Sequence, residues 1–305
     1  MKILVTGGAG FIGSHVAEQF IGAGHRVVVV DDLSSGRLEN LPEGIEFHEL
    51  DIRSEEFSKL IVSYTPEVVA HLAAQMDVRR SVAEPLLDAD INVLGTVRLL
   101  QAASAAGCSK VIFSSTGGAI YGEQDVFPAG ESHDCRPMSP YGTSKLCAEH
   151  YLDLFKLSGG PGYVILRYAN VYGPRQDPHG EAGVVAIFAR KMLAGQAPVI
   201  NGDGEQTRDF VYVGDVARAN LLALGDVSGV FNIGTGKETS INTITSVLAG
   251  HTGFAGQPVY GPAKPGEQRR SVIDAALAAD ELGWLAEISL DKGLEKTVQY
   301  FRENP

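Results

Sequence analysis

Tyr141 and Lys145 stand four residues apart in Ser139-Pro140-Tyr141-Gly142-Thr143-Ser144-Lys145, a stretch that reads as the start of a helix. Residues at that spacing lie one above the other on one helix face. The ammonium of Lys145 can therefore stand beside the phenol of Tyr141 and favour its ionised form. Bringing a phenol from a pKa of about 10 to about 7 takes roughly 4 kcal/mol. A lysine and a second positive charge in a dry cleft supply that much. The product is a general base for a sugar or alcohol hydroxyl at neutral pH. The same spacing also arises by chance on surface helices, so the pair acquires meaning only from what positions it.

The positioning elements begin at the first residue. Lys2-Ile3-Leu4-Val5-Thr6 is a short apolar run that stops at Gly7-Gly8-Ala9-Gly10-Phe11-Ile12-Gly13. Ser14 to Ala23 follows with helical spacing, and Val16, Phe20 and Ala23 fall on one face. Then Arg26 to Val30 is a β-branched run of the kind buried on both faces of a parallel sheet, and it ends in Asp31-Asp32. Strand, glycine turn, helix, strand and acid make a dinucleotide-binding unit. Gly7 allows the tight turn, Gly10 lets the backbone approach a pyrophosphate, and Gly13 lets helix pack on strand. Free N–H groups at the helix start suit phosphate. Asp31 suits ribose hydroxyls and repels a 2′-phosphate, so NAD is expected over NADP. Arg37 is expected to be solvated.

The alternation continues. Ile45 to Leu50 reads as a strand ending at Asp51-Ile52, a place suited to the adenine amino group. Glu67 to Ala74 is another strand, in which His71 reads as a hydrogen-bonded core histidine. A long helix is expected from Leu87 to Ala106, with Asn92 either reaching a backbone group or facing solvent. Lys110 to Phe113 is a strand running into Ser114-Ser115-Thr116-Gly117-Gly118-Ala119-Ile120-Tyr121-Gly122. Ligands of open parallel sheets gather at the carboxyl ends of strands, so these hydroxyls are placed to meet a substrate oxygen. The Tyr141 helix is expected to run to Leu157, followed by a strand at Tyr163–Tyr168. After Asn170-Val171-Tyr172-Gly173-Pro174-Arg175 the regular alternation gives way to prolines, glycines and short helices, and a second lobe is expected. The expected division is residues 1–173 with a returning segment at 206–237, against 174–205 plus 238–305. Within the second part lie a helix from Val184, a turn at Asn201–Gly204, a basic loop over 264–270, and helices at Ala275–Leu282 and Leu290–Arg302. Arg208 and Arg269 have the planar fork that suits a diphosphate, with a solvated salt bridge as the alternative for each.

At 305 residues the chain can bury one large core or two intimate ones. It is 44% hydrophobic and 20% charged, which is a globular composition. A net charge of −12 argues against a nucleic-acid or membrane surface. Cys108, Cys135 and Cys147 match no zinc pattern, so a reduced cytoplasmic protein without a metal site is expected. The glycines by Gly10 and the lack of a small-residue cleavage site argue against a signal peptide, and no apolar run reaches membrane-spanning length.

Together, Gly7-x-x-Gly10-x-x-Gly13, Asp31-Asp32, Tyr141-x-x-x-Lys145 and the Gly202–Phe210 segment resemble the extended short-chain dehydrogenase/reductases, and among them the nucleotide-sugar 4-epimerases. The resemblance covers nearly the whole chain. It implies a doubly wound α/β sheet of Rossmann type, with a smaller C-terminal α/β lobe for the substrate. The cofactor site it implies runs over Gly7, Gly10, Phe11, Ile12, Gly13, Asp31, Asp32, Ser34, Asp51, Ile52, Leu72, Ala73, Ala74, Asn92, Ser114, Tyr141, Lys145, Tyr168 and Val171. The implied substrate site comprises Gln75, Asn170, Val199, Asn201, Arg208, Arg269 and Ser271. Tyr141 becomes the base, Lys145 the group that tunes it and holds the nicotinamide ribose, and a Ser/Thr hydroxyl the partner of the sugar O4. Counting forward from Phe113 selects Ser115 for that role, and counting back from Tyr121 selects Thr116. The strand is the firmer reference and favours Ser115. Ser271 is implied beside the sugar's C2 substituent, where its small size leaves space for an N-acetyl group. Its alternative role is to cap the helix near Ala275. A homodimer through 87–106 and 141–157 is also implied.

Two rival functions use the same scaffold. Nucleotide-sugar 4,6-dehydratases carry an Asp-Glu pair after the catalytic hydroxyl, where this chain has Gly117-Gly118, and UDP-glucuronate decarboxylases are close neighbours. A non-catalytic NAD-binding regulator is the third reading, and the retained Tyr141–Lys145 pair speaks against it.

Overall fold

The computed structural model describes residues 1–178, 183–263 and 268–304. Strands and helices alternate as β1 (Lys2–Thr6), α1 (Phe11–Gly22), β2 (Arg26–Asp31), β3 (Glu46–Glu49), α2 (Glu55–Tyr64) and β4 (Val68–His71). Two short helices, α3 (Val78–Ala83) and α4 (Pro85–Ala89), lead into α5 (Gly95–Ala105), β5 (Lys110–Thr116), the one-turn α6 (Gly117–Ile120), α7 (Pro140–Leu157) and β6 (Gly162–Tyr168). The remainder comprises β7 (Asn170–Tyr172), α8 (Val184–Leu193), β8 (Val199–Asn201), β9 (Thr207–Tyr212), α9 (Val213–Leu222) and β10 (Gly229–Ile233). It closes with β11 (Glu238–Ser240), α10 (Ile241–Thr252), β12 (Val259–Gly261), β13 (Arg270–Ser271), α11 (Ala276–Leu282) and α12 (Leu290–Glu303).

The larger sheet has seven strands in the order β10-β6-β5-β4-β1-β2-β3, and every pairing in it is parallel. Period-two alternation sorts its side chains onto two faces. Ile3, Val5, Val27, Val29 and Ile112 enter the cluster around α1 and α9. Leu4, Val30, Val111 and Phe113 enter the other, against α2, α5 and α7. Fully buried Phe20 and Phe57 each contribute about 1.5–3 kcal/mol of burial on their respective faces.

A smaller sheet is built on β9, flanked by β7 and β13 in parallel and by β11 antiparallel. Tyr172, Val185, Phe188, Ile244, Leu294 and Phe301 form a third core behind it, with α8, α10 and α12. β7, from Asn170, thus pairs into the smaller sheet and not into the larger one. Of the expected returning segment, β9 lies in the smaller sheet, while α9 packs on α1 and β10 joins β6.

The long helix expected over 87–106 is interrupted. A π-helical turn over Asp90–Leu94 separates α4 from α5. Such a bulge aims a side chain out of register with its neighbours, and here it carries Asn92. No described helix is long and apolar enough to cross a membrane.

Candidate active site

The order of the larger sheet reverses between β1 and β4, since β2 and β3 lie on one side of β1 and β4 to β6 on the other. A cleft forms at the carboxyl ends of such strands. Register sharpens it. Thr6, His71, Phe113 and Ile165 lie level across the sheet, while β5 and β6 run on through Ser114–Leu166, Ser115–Arg167 and Thr116–Tyr168. The hydroxyl strand therefore stands as a step above β4, with the glycine loop below it.

That loop leaves no room for side chains. Gly7 takes φ of +69°, and a Cβ there would lie 2.6 Å from the Ala73 nitrogen. A Cβ on Gly13 would fall 2.0 Å from the Gly7 carbonyl oxygen, so helix and turn touch directly. Gly10 caps α1 with no side-chain hydrogen bond, and the first turn holds no acid. The one crowding atom a Cβ on Gly10 would meet is the Gly7 oxygen at 3.2 Å. Phe11, Ile12 and Gly13 thus open a helix whose N-terminus suits a pyrophosphate. Asp31 is buried and ties the loop to β2, accepting from the Ala9 N–H at 3.0 Å and the Leu33 N–H at 2.9 Å. Burial raises its pKa, against the pull of those backbone donors. Asp32 is exposed and accepts from the Ser34 N–H and hydroxyl. Arg37 is exposed, as expected, with Asp177 at 4.0 Å. Asp51 lies at the far end, where the Arg53 guanidinium forks onto it and holds its carboxyl below the usual range. Ile52 is buried against Gly95. These features fit a dinucleotide along β1, β2 and β3.

Leu72, Ala73 and Ala74 leave β4 beside this loop, and His71 beneath them is sealed. Its Nδ1 lies 2.7 Å from Thr6 Oγ1 and its Nε2 3.1 Å from Thr96 Oγ1. Thr96 spends its own proton on the Asn92 carbonyl, so Nε2 carries the ring proton and Nδ1 accepts from Thr6. Burial, with Lys145 adding to it, lowers the His71 pKa to about 3. It is a neutral core histidine.

Ser139 caps α7 by accepting from the Gly142 N–H at 3.2 Å, with Pro140 in the first turn. The helix lays Tyr141, Lys145 and Glu149 in one row toward β5. Tyr141 is half-buried. Lys145 is only 4% exposed, donates to the Ser114 carbonyl at 2.9 Å, and stands 4.7 Å from the centre of the Phe113 ring. Burial lowers its pKa to about 8, opposed by the charges of Asp88 and Glu149.

The three hydroxyls of β5 separate by strand alternation. Ser115 shares the face of Phe113 and is buried, donating to Glu149 Oε1 at 2.5 Å. Glu149 is also forked by Arg167, at 3.1 and 2.6 Å. Ser115, the expected partner of the sugar, thus has its proton engaged in a buried ion pair. Ser114 and Thr116 face the other way. Ser114 Oγ lies 3.0 Å from the Tyr168 hydroxyl. Thr116 is half-buried and caps α6, accepting from the Ala119 N–H at 3.2 Å, which leaves its proton to give. A Cβ built on Gly118 would meet Asn170 Oδ1 at 3.5 Å and Thr116 Oγ1 at 3.9 Å, so Thr116 and Asn170 border one point.

Other expected residues are spent elsewhere. The Gln75 side chain donates to the Asp77 carbonyl and Asp88, and accepts from the Asp77 N–H, so it is a buried brace and not a sugar ligand. Asn92 reaches the backbone of Gln75, accepting from its N–H at 2.9 Å and donating to its carbonyl at 2.8 Å. That fastens the loop after β4, and the side chain is not left for a cofactor. Tyr168 is buried, its hydroxyl held by Ser114 and Asn220, and burial pushes its pKa up to about 12. Val171, in β7, gives its carbonyl to Gln176.

On the second lobe, Ser271 pairs in register with Arg208 and is buried. It caps nothing, because α11 starts at Ala276, whose N–H bonds to Asp274. Two residues on, Ile273 would meet a Cβ on Gly117 at 2.7 Å, so this strand lies over α6. Arg208 is half-buried and donates to the Thr207 carbonyl. Arg269 is exposed, and both prongs rest on Asp203 at 2.8 and 2.9 Å, the solvated salt bridge of the alternative reading. Asn201 receives Gln206 on its carbonyl, and Val199 is exposed at the start of β8. Residues 264–267 of the basic loop lie outside the described residues. Asp88, Glu149 and Arg167 escaped the sequence reading. Arg167 within the apolar run of β6 was the one clear signal, since a charge there demands a buried partner.

The pattern of the NAD dependent epimerase/dehydratase family matches residues 3–234. The chain belongs to that family. A UDP-glucose 4-epimerase of Mycolicibacterium smegmatis is 45% identical, over 99% of each chain. The crystal structure of UDP-glucose 4-epimerase from Thermotoga maritima with UDP-glucose superposes with a TM-score of 0.98 at 51% identity, covering 100% of this chain and 99% of that one. The Thermus thermophilus UDP-glucose 4-epimerase complex with NAD gives 0.94 at 44% identity, covering 99% of each. In this epimerase/dehydratase chain the glycine loop after β1, Asp31 at the end of β2 and the Tyr141–Lys145 row seated on β5 all lie at the carboxyl edge of the one parallel sheet, in keeping with the family's dependence on NAD.

Proposed function

We propose that the chain interconverts UDP-glucose and UDP-galactose by inverting C4 through a transient 4-keto sugar. The observation that carries this reading is the seating of Lys145 on the Ser114 carbonyl, at the step above the glycine loop. It brings the α7 row to the strand end that carries Thr116. NAD, which the glycine loop, Asp31 and Lys145 would hold, would supply the hydride acceptor and donor for C4. Tyr141 takes the O4 proton as the hydride leaves and returns it when C4 is reduced from its other side. Lys145, charged in its dry pocket, favours the ionised phenol. Thr116 donates to O4 in the place first assigned to Ser115.

Gly117 and Gly118 favour this over elimination of water. A side chain at Gly117 would strike Ile273, and Gly118, beside Asn170 and Thr116, carries no acid or base. Arg208 and Asn170 are assigned to the sugar diphosphate, with Asn201 and Val199 at the nucleotide end and Ser271 beside C2. The two lobes serve cofactor and nucleotide sugar respectively. Exposed Leu94, Leu154 and Leu157, at 50%, 53% and 78%, supply an apolar face near α5 and α7 for a homodimer, in a protein of the cytoplasm. The test is conversion of UDP-galactose to UDP-glucose by the purified chain, read by a coupled assay. Absence of conversion with NAD bound rejects the proposal.

A further inference from the structure

Asp88, on α4, is a fully enclosed carboxylate at 0% exposure. Three hydrogen bonds converge on it, from Ser144 Oγ at 2.5 Å, Gln75 Nε2 at 3.0 Å and Asn92 Nδ2 at 3.1 Å. Each donor belongs to a different stretch of chain: α7, the loop leaving β4, and the π-helical turn. Ser144 is the residue before Lys145 and three after Tyr141. Rotation of α7 about its axis would swing the Tyr141–Lys145 row and break the Ser144 bond together. The loop held through Gln75 is the one whose Ala73 nitrogen crowds Gly7. One carboxylate therefore links the reacting helix to the cofactor loop.

Its charge has a second consequence. All three donors are neutral, and among the described residues Lys145 is a cation whose charged form Asp88 favours. Among the other groups facing Lys145, Glu149 favours the ammonium as well, less than Asp88 does. Glu149, one turn along α7, is already forked by Arg167. His71, on β4, is held neutral by burial. Ser114 and Phe113, on β5, offer a carbonyl and a ring face.

We infer that Asp88 is a positioning residue for the reaction: through Ser144 it fixes the rotation of α7, and as a buried carboxylate on the helix packed against α7 it is a counter-charge for Lys145. The inference rests on Tyr141 and Lys145 being the reacting pair. Its direction with pH follows from the charge. Lys145 serves while protonated, so activity falls as pH rises through its pKa. Removing the negative neighbour lowers that pKa and moves the alkaline limb of kcat to lower pH.

The test compares wild type, Asp88→Asn and Ser144→Ala in the UDP-galactose assay from pH 6 to 10, with rates expressed per folded, NAD-bearing molecule. Asp88→Asn is expected to move the alkaline limb down by about one unit or more. Ser144→Ala, which keeps the charge, is expected to lower kcat about tenfold at every pH, with KM within about threefold and the limb unmoved. An unmoved limb in folded Asp88→Asn overturns the inference, and so does wild-type kcat in Ser144→Ala. If Asp88→Asn does not fold, Ser144→Ala decides alone. Tyr141→Phe in the same series separates the two levels. Full activity there rejects the reacting pair itself, whereas an inactive Tyr141→Phe beside an unmoved limb rejects only the role of Asp88.

Discussion

Two arginine–carboxylate pairs of the same two-pronged chemistry sit in opposite surroundings. Arg167 and Glu149 join β6 to α7 with side chains 7% and 6% exposed. Arg269 and Asp203 join two segments of the second lobe at 59% and 58%. The buried pair is tolerable because its remaining valences are met. Glu149 takes the Ser115 proton as well, and Arg167 reaches the Tyr121 hydroxyl at 3.0 Å, which in turn donates to Asn232. The exposed pair competes with water and can trade Asp203 for another anion at little cost. The difference separates two tasks. On the proposed function, the half assigned to the chemistry is held by partners that cannot exchange, and the half assigned to the diphosphate by partners that can.

Each side of that comparison can be broken. The largest effect is expected from Tyr141→Phe, which leaves fold and NAD binding intact and lowers turnover about a thousandfold. Near-normal turnover would remove the chemical half of the contrast. Next, Glu149→Ala strands Arg167 in the core and is expected to cost about 3–5 kcal/mol in urea unfolding, whereas Asp203→Ala should leave the midpoint where it is. Equal shifts would abolish the distinction. Thr116→Val is expected to lower kcat about a hundredfold by removing a donor to O4, while Ser115→Ala should keep kcat within about threefold and show its loss in stability. The reverse pattern would return Ser115 to the catalytic role. Ser271→Tyr fills the space beside C2 and should cut kcat/KM for UDP-N-acetylglucosamine about tenfold or more relative to UDP-glucose. A tyrosine variant with full activity on the acetylated sugar would show that Ser271 is no gate. The smallest effect belongs to Arg269→Ala, expected to leave melting unchanged and raise KM severalfold with kcat unaltered. An unchanged KM would make Arg269 a surface ion pair only.

The glycine loop, Asp31 and the Tyr141–Lys145 pair were legible because each is a local pattern whose geometry follows from a few consecutive residues. The run of parallel strands was legible from their β-branched composition. Counting from Phe113, which favours Ser115 over Thr116, ignores alternation: Phe113 and Ser115 share the α7 face, and Ser114 and Thr116 the other. The break in the 87–106 helix was hidden because its cause is distant, the clasp of Asn92 on Gln75. The membership of β7 and β9 in a second sheet was hidden for the same reason, since it is a pairing across forty residues of chain and leaves no periodic trace. Glu149 was foreshadowed only through Arg167, whose charge within β6 demands a buried partner. Asp88 had no signal, because nothing in Leu86-Leu87-Asp88-Ala89 announces three donors from three elements.

The central claim is that C4 gives up a hydride and takes the same one back while Tyr141 moves only the O4 proton. Conversion of UDP-galactose bearing deuterium at C4, run in ordinary water and read by mass spectrometry and NMR of the UDP-glucose formed, tests this directly. Full retention of the deuterium at the inverted carbon is expected. Loss of the label to solvent would mean that the carbon-bound hydrogen leaves as a proton, and would contradict the claim.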